Sequence, residues 1–165
     1  MTHASRPMLS AGAAPRLRLA MYKGPAESLV HTVGHIAVRL RTLSRYSHCE
    51  LVLGATDATG HATCWSSSGR DGGVRQKRLQ IVSGRWDVYE LPGYDEFDEA
   101  FARQWFKDRD GLPYDHLALL WFVLPINQFN RSKRFFCSEA VAAALRMRHP
   151  HKHHPQRLLD AAMKA

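Results

Sequence analysis

Two side chains in this 165-residue sequence, the thiol of Cys137 and the imidazole of His48, have the type and setting for covalent catalysis. Cys137 follows Phe135 and Phe136 and opens the Ala-rich run Cys137-Ser138-Glu139-Ala140-Val141-Ala142-Ala143-Ala144. At the start of a helix, unpaired N–H groups and the macrodipole favour a thiolate. Glu139, in the same first turn, works against it through like-charge repulsion unless it points away or is paired, so His48 has to supply most of the activation. His48 stands at the mouth of an apolar run, Cys49 to Leu53, that ends at Gly54. Strand alternation puts His48, Glu50 and Val52 on one face, and Cys49, Leu51 and Leu53 on the other. Glu50 is therefore able to orient the imidazole, since a carboxylate in an otherwise apolar strand is costly without a partner; the competing role is a salt-bridged or edge-exposed acid. Cys49 is expected to face away and pack in the core.

The elements that must position these groups follow from periodicity. Arg16 to Tyr22 alternates basic and apolar residues, as a half-buried strand does, and Lys23-Gly24-Pro25 ends it. From Ala26 to Thr42, Leu29, Val33, Ile36, Ala37 and Leu40 recur at helical steps and are expected to form a buried face. His31 and His35 lie four apart on that helix, but a structural metal site needs four ligands and no third is in view. The strand from His48 is followed by a loop at Ala55 to Gly60 and a return strand from His61 to Ser66. A small-residue loop, Ser66 to Gly73, leads to strands at Val74 to Ile81 and Trp86 to Leu91. This middle region reads as an antiparallel meander. Helical periodicity resumes at Glu96 to Asp108 with a stripe of Phe97, Phe101, Trp105 and Phe106, expected in the core. Tyr114 to Leu124 reads as a buried apolar helix, and the segment opening at Cys137 as a last helix to about Met147.

The length and 45% hydrophobic content allow one core and one domain. Residues 1–15 read as a disordered leader, 16–148 as the catalytic domain, and 149–165 as a His-rich tail in which His149 to Pro155 is expected to be a solvated, poorly ordered turn. The longest apolar run, Leu117 to Leu124, stops at Pro125, far short of the roughly 20 residues of a membrane span. The first 15 residues lack the apolar core of a secretory signal, so the cytoplasm is the default compartment, where all three cysteines remain thiols. The net charge of +8 attracts anions, yet the basic residues are scattered and carry no stacking or base-reading signature, which argues against specific nucleic-acid binding. No metal or organic cofactor is called for.

Three words, in order, carry a resemblance. Ser47-His48-Cys49-Glu50-Leu51-Val52-Leu53-Gly54 resembles the histidine-bearing strand of NlpC/P60 and permuted papain-like proteins. Gly111-Leu112-Pro113-Tyr114-Asp115 resembles the Gly-x-Pro-Tyr-Asp element of the permuted YaeF/YiiX-like group, and Phe136-Cys137-Ser138-Glu139-Ala140-Val141 resembles its Cys-Ser-Glu helix start. Ordinary papain-like enzymes present Cys before His; here His48 precedes Cys137, as in the permuted members and the lecithin:retinol acyltransferase-like branch. Covering Leu17 to Leu145, the resemblance implies an α+β, permuted papain-like (NlpC/P60) fold, with an antiparallel sheet packed against helices and the nucleophile at a helix N-terminus. Where many relatives carry a third polar residue, often His, this chain has Cys64, with His61 three residues earlier. Glu50 is the preferred third member and His61 the alternative.

The expected chemistry is attack of the Cys137 thiolate on an amide or ester carbonyl, then an acyl-enzyme hydrolysed with His48 acting first as acid and then as base. The backbone N–H of Cys137 and a second donor such as Tyr46 would meet the oxyanion, with Ser66 and Tyr114 as further substrate-binding candidates. The implied partner is a peptide or acyl small-molecule substrate, anionic ones included; cell-wall peptides would have to be reached by phage lysis or secretion. A lipid acyltransferase or thioesterase is the alternative enzyme, and a basic binding module without catalysis the alternative from another class.

Overall fold

The computed structural model describes residues 17–25, 36, 38–40, 42–82, 84–116 and 133–165. Five strands, β1 (Arg18–Tyr22), β2 (His48–Val52), β3 (His61–Ser68), β4 (Gly73–Gln80) and β5 (Trp86–Glu90), form one antiparallel sheet in the order β4-β3-β2-β1-β5. Helices α1 (Glu96–Lys107), α2 (Cys137–Ala144) and α3 (Pro155–Ala162) follow, with a 3-10 turn at Pro150–Lys152 between the last two.

The sheet has two unlike faces. Leu19, Met21, Cys49, Leu51 and Trp65 pack with Phe106 of α1, Ala140 and Val141 of α2 and Leu158 of α3 into the main core. Ala20, Val52, Ala62, Cys64 and Ile81 make a smaller cluster on the reverse. With apolar contacts on both sides, Leu19, Ala20 and Met21 of β1 are all buried, so the expected half-exposed alternation is replaced by an inner strand between β2 and β5. The alanines of α2 carry no bulk beyond Cβ, which lets that helix lie close against β2 and β3.

Several sequence expectations are corrected. Strand β3 runs through Ser68 rather than stopping at Ser66, because Ser66, Ser67 and Ser68 pair with Arg75, Val74 and Gly73 and the first two hydroxyls find buried carbonyls. Residues 36, 38–40 and 42 are helical, but Ile36 and Leu40 are exposed and Val38 is buried. Arg39 explains the rotation: its guanidinium donates to Gly24 O and Ser47 Oγ, turning the Val38–Arg39 side inward. Of the aromatic stripe on α1, Trp105 and Phe106 are buried, whereas Phe97 and Phe101 lie exposed under the Arg146 guanidinium. Helix α2 ends at Ala144, where Leu145 caps it through Ala143 O and Val141 O. The tail is the largest correction. His154 caps α3 by accepting from Arg157 N–H, Pro155 occupies the first turn, and Leu158, Leu159 and Ala162 enter the core. The helix expected at Tyr114 to Leu124 lies outside the described residues from Leu117 on; Tyr114 itself bridges Phe135 in parallel β fashion. His31 and His35 also lie outside them.

Candidate active site

Cys137 is held by the backbone before it. Phe135 O accepts from Ser67 Oγ of β3 at 2.6 Å and from Asp115 N–H at 3.2 Å, so the chain entering α2 is tied to the sheet and to the Tyr114–Asp115 segment. That segment is strapped in turn to the start of β4: Val74 N–H donates to Leu112 O (2.8 Å), Gly111 N–H to Val74 O (2.9 Å) and Tyr114 N–H to Gly72 O (3.0 Å). Only glycine fits at position 73, where φ is +155° and a Cβ would stand 1.9 Å from Leu112 O. The Gly-Leu-Pro-Tyr-Asp word is thus the clamp that connects β4 to the thiol-bearing helix.

Helix α2 begins at Cys137 behind Phe136, an N-cap with extended backbone and no side-chain oxygen to offer. The first-turn N–H groups therefore gain nothing from a capping side chain, and their partial positive charge falls where the thiol sits. Glu139, at the third helical position, accepts from the backbone N–H of Phe136, which is half of a capping box. Burial pushes its carboxyl up to about 7, and Asp115 adds to the shift. The carboxylate expected to oppose the thiolate is therefore partly protonated near neutrality and is occupied in capping.

Cys137 interacts with two consecutive residues of β2. Hydrogen bonding from Cys49 lowers its thiol pKa first; burial opposes, and the His48 charge and hydrogen bond lower it further, to well below the ordinary thiol value. For His48 burial disfavours the cation, but the Cys137 and Glu50 interactions outweigh it and raise the ring to about 9. Both directions describe one ion pair, thiolate with imidazolium. His48 Nε2 donates to Glu50 Oε1 at 2.7 Å, which leaves Nδ1 for the sulfur. Glu50 is fully buried, and only cations make that tolerable: Arg75 reaches Oε2 with Nη1 at 2.7 Å and Oε1 with Nη2 at 2.6 Å. Against the cost of burial, Arg75 first and then His48 hold the Glu50 carboxyl below its usual range. Arg75 Nε donates at 2.8 Å to Asp71, whose other oxygen takes Lys77 at 2.9 Å. Charges alternate along the whole chain from Cys137 through His48, Glu50 and Arg75 to Asp71.

Cys137, His48 and Glu50 are therefore brought together. Tyr114 is buried beside them, its hydroxyl pKa raised by burial and then by Cys137. Three other candidates stand elsewhere. His61, the alternative third member, sits at the far end of β3, with its Nδ1 2.8 Å from Thr59 Oγ1. Seven strand steps separate it from Ser68 at the other end, about 23 Å of chain. Tyr46, the expected oxyanion donor, spends its hydroxyl on Asp87 Oδ2 (2.8 Å) and Tyr89 (2.6 Å), with Arg45 donating to it. Ser66 is fully buried and donates to Cys49 O at 2.7 Å, so it supports β2 rather than touching substrate.

Sequence reasoning missed Arg75 and Cys49. Nothing in the sequence sets Arg75 apart from the other scattered basic residues, yet a carboxylate inside a strand demands a buried cation on a neighbouring one. Cys49 is in the core as expected, but its thiol lies against Cys137. Trp86 was likewise overlooked; Tyr22 pairs with both His48 and Trp86, and the indole stands edge-on to the imidazole at 6.3 Å. Among the described residues no group of three or more His, Cys, Asp or Glu is arranged to hold a metal, and no helix is long and apolar enough to cross a membrane. No protein-family model matches the chain, and no curated protein does.

Proposed function

We propose that the chain is a cysteine hydrolase, an amidase or peptidase of permuted papain-like architecture, with Cys137 as nucleophile, His48 as acid and base, and Glu50 as the group that orients His48. The observation that carries this reading is the pairing of a helix-initial thiol with an imidazole whose other nitrogen is fixed 2.7 Å from a buried carboxylate. Such a thiolate needs no deprotonation before attack, and the imidazolium beside it is ready to donate.

In this mechanism the thiolate adds to the substrate carbonyl. The backbone N–H of Cys137, among the α2 donors without a helical acceptor, faces the developing oxyanion. As the tetrahedral intermediate collapses, His48 Nδ1–H protonates the departing amine or alcohol and the acyl group remains on sulfur. Neutral His48 then takes a proton from water, which releases the acid. Glu50 keeps Nε2 engaged throughout, so the ring cannot rotate its active nitrogen away, and the Arg75 fork keeps Glu50 ionised.

Incubation with an activated peptide ester or a lipid ester, quenching in acid and peptide mass mapping test the reading. An acyl increment on Cys137, absent from Cys137→Ser, is expected, and the acyl donor that leaves it identifies the substrate class. A fully unmodified Cys137 with both donors, in a sample whose Cys137 alkylates rapidly, would contradict acyl transfer.

A further inference from the structure

A second thiol next to a thiolate has chemistry of its own. The sheet register puts Cys49 on the α2-facing side, in the same core cluster as Cys137, while Cys64 belongs to the cluster on the reverse face. Cys49 is entirely shielded from solvent and interacts with the Cys137 thiol; its carbonyl is pinned by Ser66 Oγ at 2.7 Å, next to Ser67, whose hydroxyl holds Phe135 O two residues before Cys137. The hydrolytic mechanism gives Cys49 no step, and core packing alone does not call for a second thiol beside that of Cys137. The polarity of the pair is asymmetric: Cys137 is the thiolate, while burial pushes the Cys49 thiol well up, so Cys49 stays protonated.

We infer that Cys137 and Cys49 form a reversible redox pair, in which a hydroperoxide converts the active thiolate into a Cys137–Cys49 disulfide and switches the site off. This rests on the thiolate of the proposed site and concerns its regulation. In the first step the Cys137 sulfur attacks the terminal peroxide oxygen; the O–O bond breaks, sulfur becomes a sulfenic acid, and the departing oxygen leaves as hydroxide or alkoxide. In the second, the Cys49 sulfur attacks the sulfenic sulfur, the S–O bond breaks, and the hydroxyl leaves with the Cys49 proton as water. With hydrogen peroxide the net change is two thiols and one peroxide to one disulfide and two waters. A dithiol reductant reverses it. Peroxide is small enough to reach a sulfur that bulky oxidants do not, and a neighbouring thiol traps the sulfenic acid before irreversible oxidation.

The full-length chain is treated with a few equivalents of hydrogen peroxide at neutral pH, the remaining thiols are alkylated, and peptides are mapped without reduction. The expected result is a cross-linked peptide holding Cys49 and Cys137, an intact mass lower by about 2 Da, Cys64 still alkylatable, and recovery of Cys137 labelling after dithiothreitol. In Cys49→Ala, and in Cys49→Ser should the first fold poorly, Cys137 runs on to sulfinic and sulfonic acids, gains of about 32 and 48 Da that the reductant does not reverse. Those gains in the wild-type chain with Cys49 free, or a cross-link to Cys64, overturn the pairing while leaving the activated thiol standing. Cys137 oxidising no faster than Cys64 overturns both.

Discussion

At the scale of single residues, the nucleophile proposed at Cys137 rests on a carboxylate that acts through His48. Glu50 is sandwiched between the His48 ring and the Arg75 fork, and removing its charge strands two cations. Glu50→Gln is expected to lower the His48 pKa from about 9 and to cost about 3–5 kcal/mol of stability, the usual result of breaking a buried pair from one side. NMR titration of the His48 ring and urea unfolding measure the two effects. An unchanged His48 titration would contradict the orienting role. The His48–Glu50 relation was legible beforehand, because alternation along a five-residue strand fixes which side chains share a face. Arg75 was not legible: its partner lies 25 positions away in sequence, and only the β3–β4 register shows that Arg75 stands opposite Ser66.

At the scale of elements, the site depends on two attachments that short patterns concealed. The Gly-Leu-Pro-Tyr-Asp segment is clamped to β4 through Gly73, so Gly73→Ala forces a Cβ into Leu112 O and has to shift the strap that leads to Cys137. This variant is expected to melt several degrees lower and to alkylate Cys137 more slowly; an unaltered alkylation rate would separate the clamp from the site. Helix α3 is the second attachment. Ser138 Oγ, on the turn of Cys137, donates to His153 O at 2.6 Å, and Leu158 is completely buried beneath α2. Leu158→Ala is therefore expected to cost about 2–5 kcal/mol in denaturant unfolding, as for other core truncations; a loss within error would mean that the tail does not dock. Composition concealed this helix, since the histidines and prolines of His149 to Pro155 suggested a solvated turn. The signal that was available is local: a polar cap at His154 followed by Pro155 in the first turn, the usual order at a helix start. The five strands were visible from alternation and turn residues, but which helix faces are buried depends on contacts between elements, as Arg39 and Arg146 demonstrate.

For the molecule as a whole, the same ionisations govern stability against pH. His48 is raised from 6.5 to about 9, so its contribution is complete below pH 6.5 and is lost as pH climbs through 9. Cys137 is lowered from 9, so its contribution is complete above pH 9 and is lost as pH falls through the folded value. Between pH 6.5 and 9 the folded ion pair and the unfolded neutral pair each hold one proton, and their joint contribution is flat. Glu139 acts differently. Raised from 4.5 to about 7, it favours the folded state below pH 4.5 and loses that contribution as pH rises through 7. Relative to wild type, Glu139→Gln should therefore gain on the order of 3 kcal/mol between pH 4.5 and pH 8, read from paired urea titrations. Equal differences at the two pH values would show that the carboxyl titrates normally. An antiparallel sheet accompanied by helices was legible from periodicity; that apolar clusters form on both of its faces was not. The charge relay from Cys137 to Asp71 was not, because it crosses β2, β3 and β4 and α2, and no local pattern encodes that meeting.

The most direct test of the account is the rate of iodoacetamide labelling at each cysteine as a function of pH, in wild type and His48→Ala. The account predicts that Cys137 labels fastest at neutral pH, with a transition far below that of a free thiol, and that His48→Ala moves the transition upward; Cys64, pushed up to about 12 by burial, stays inert. Cys137 labelling no faster than Cys49 and Cys64, with no transition below the free-thiol range, would contradict it.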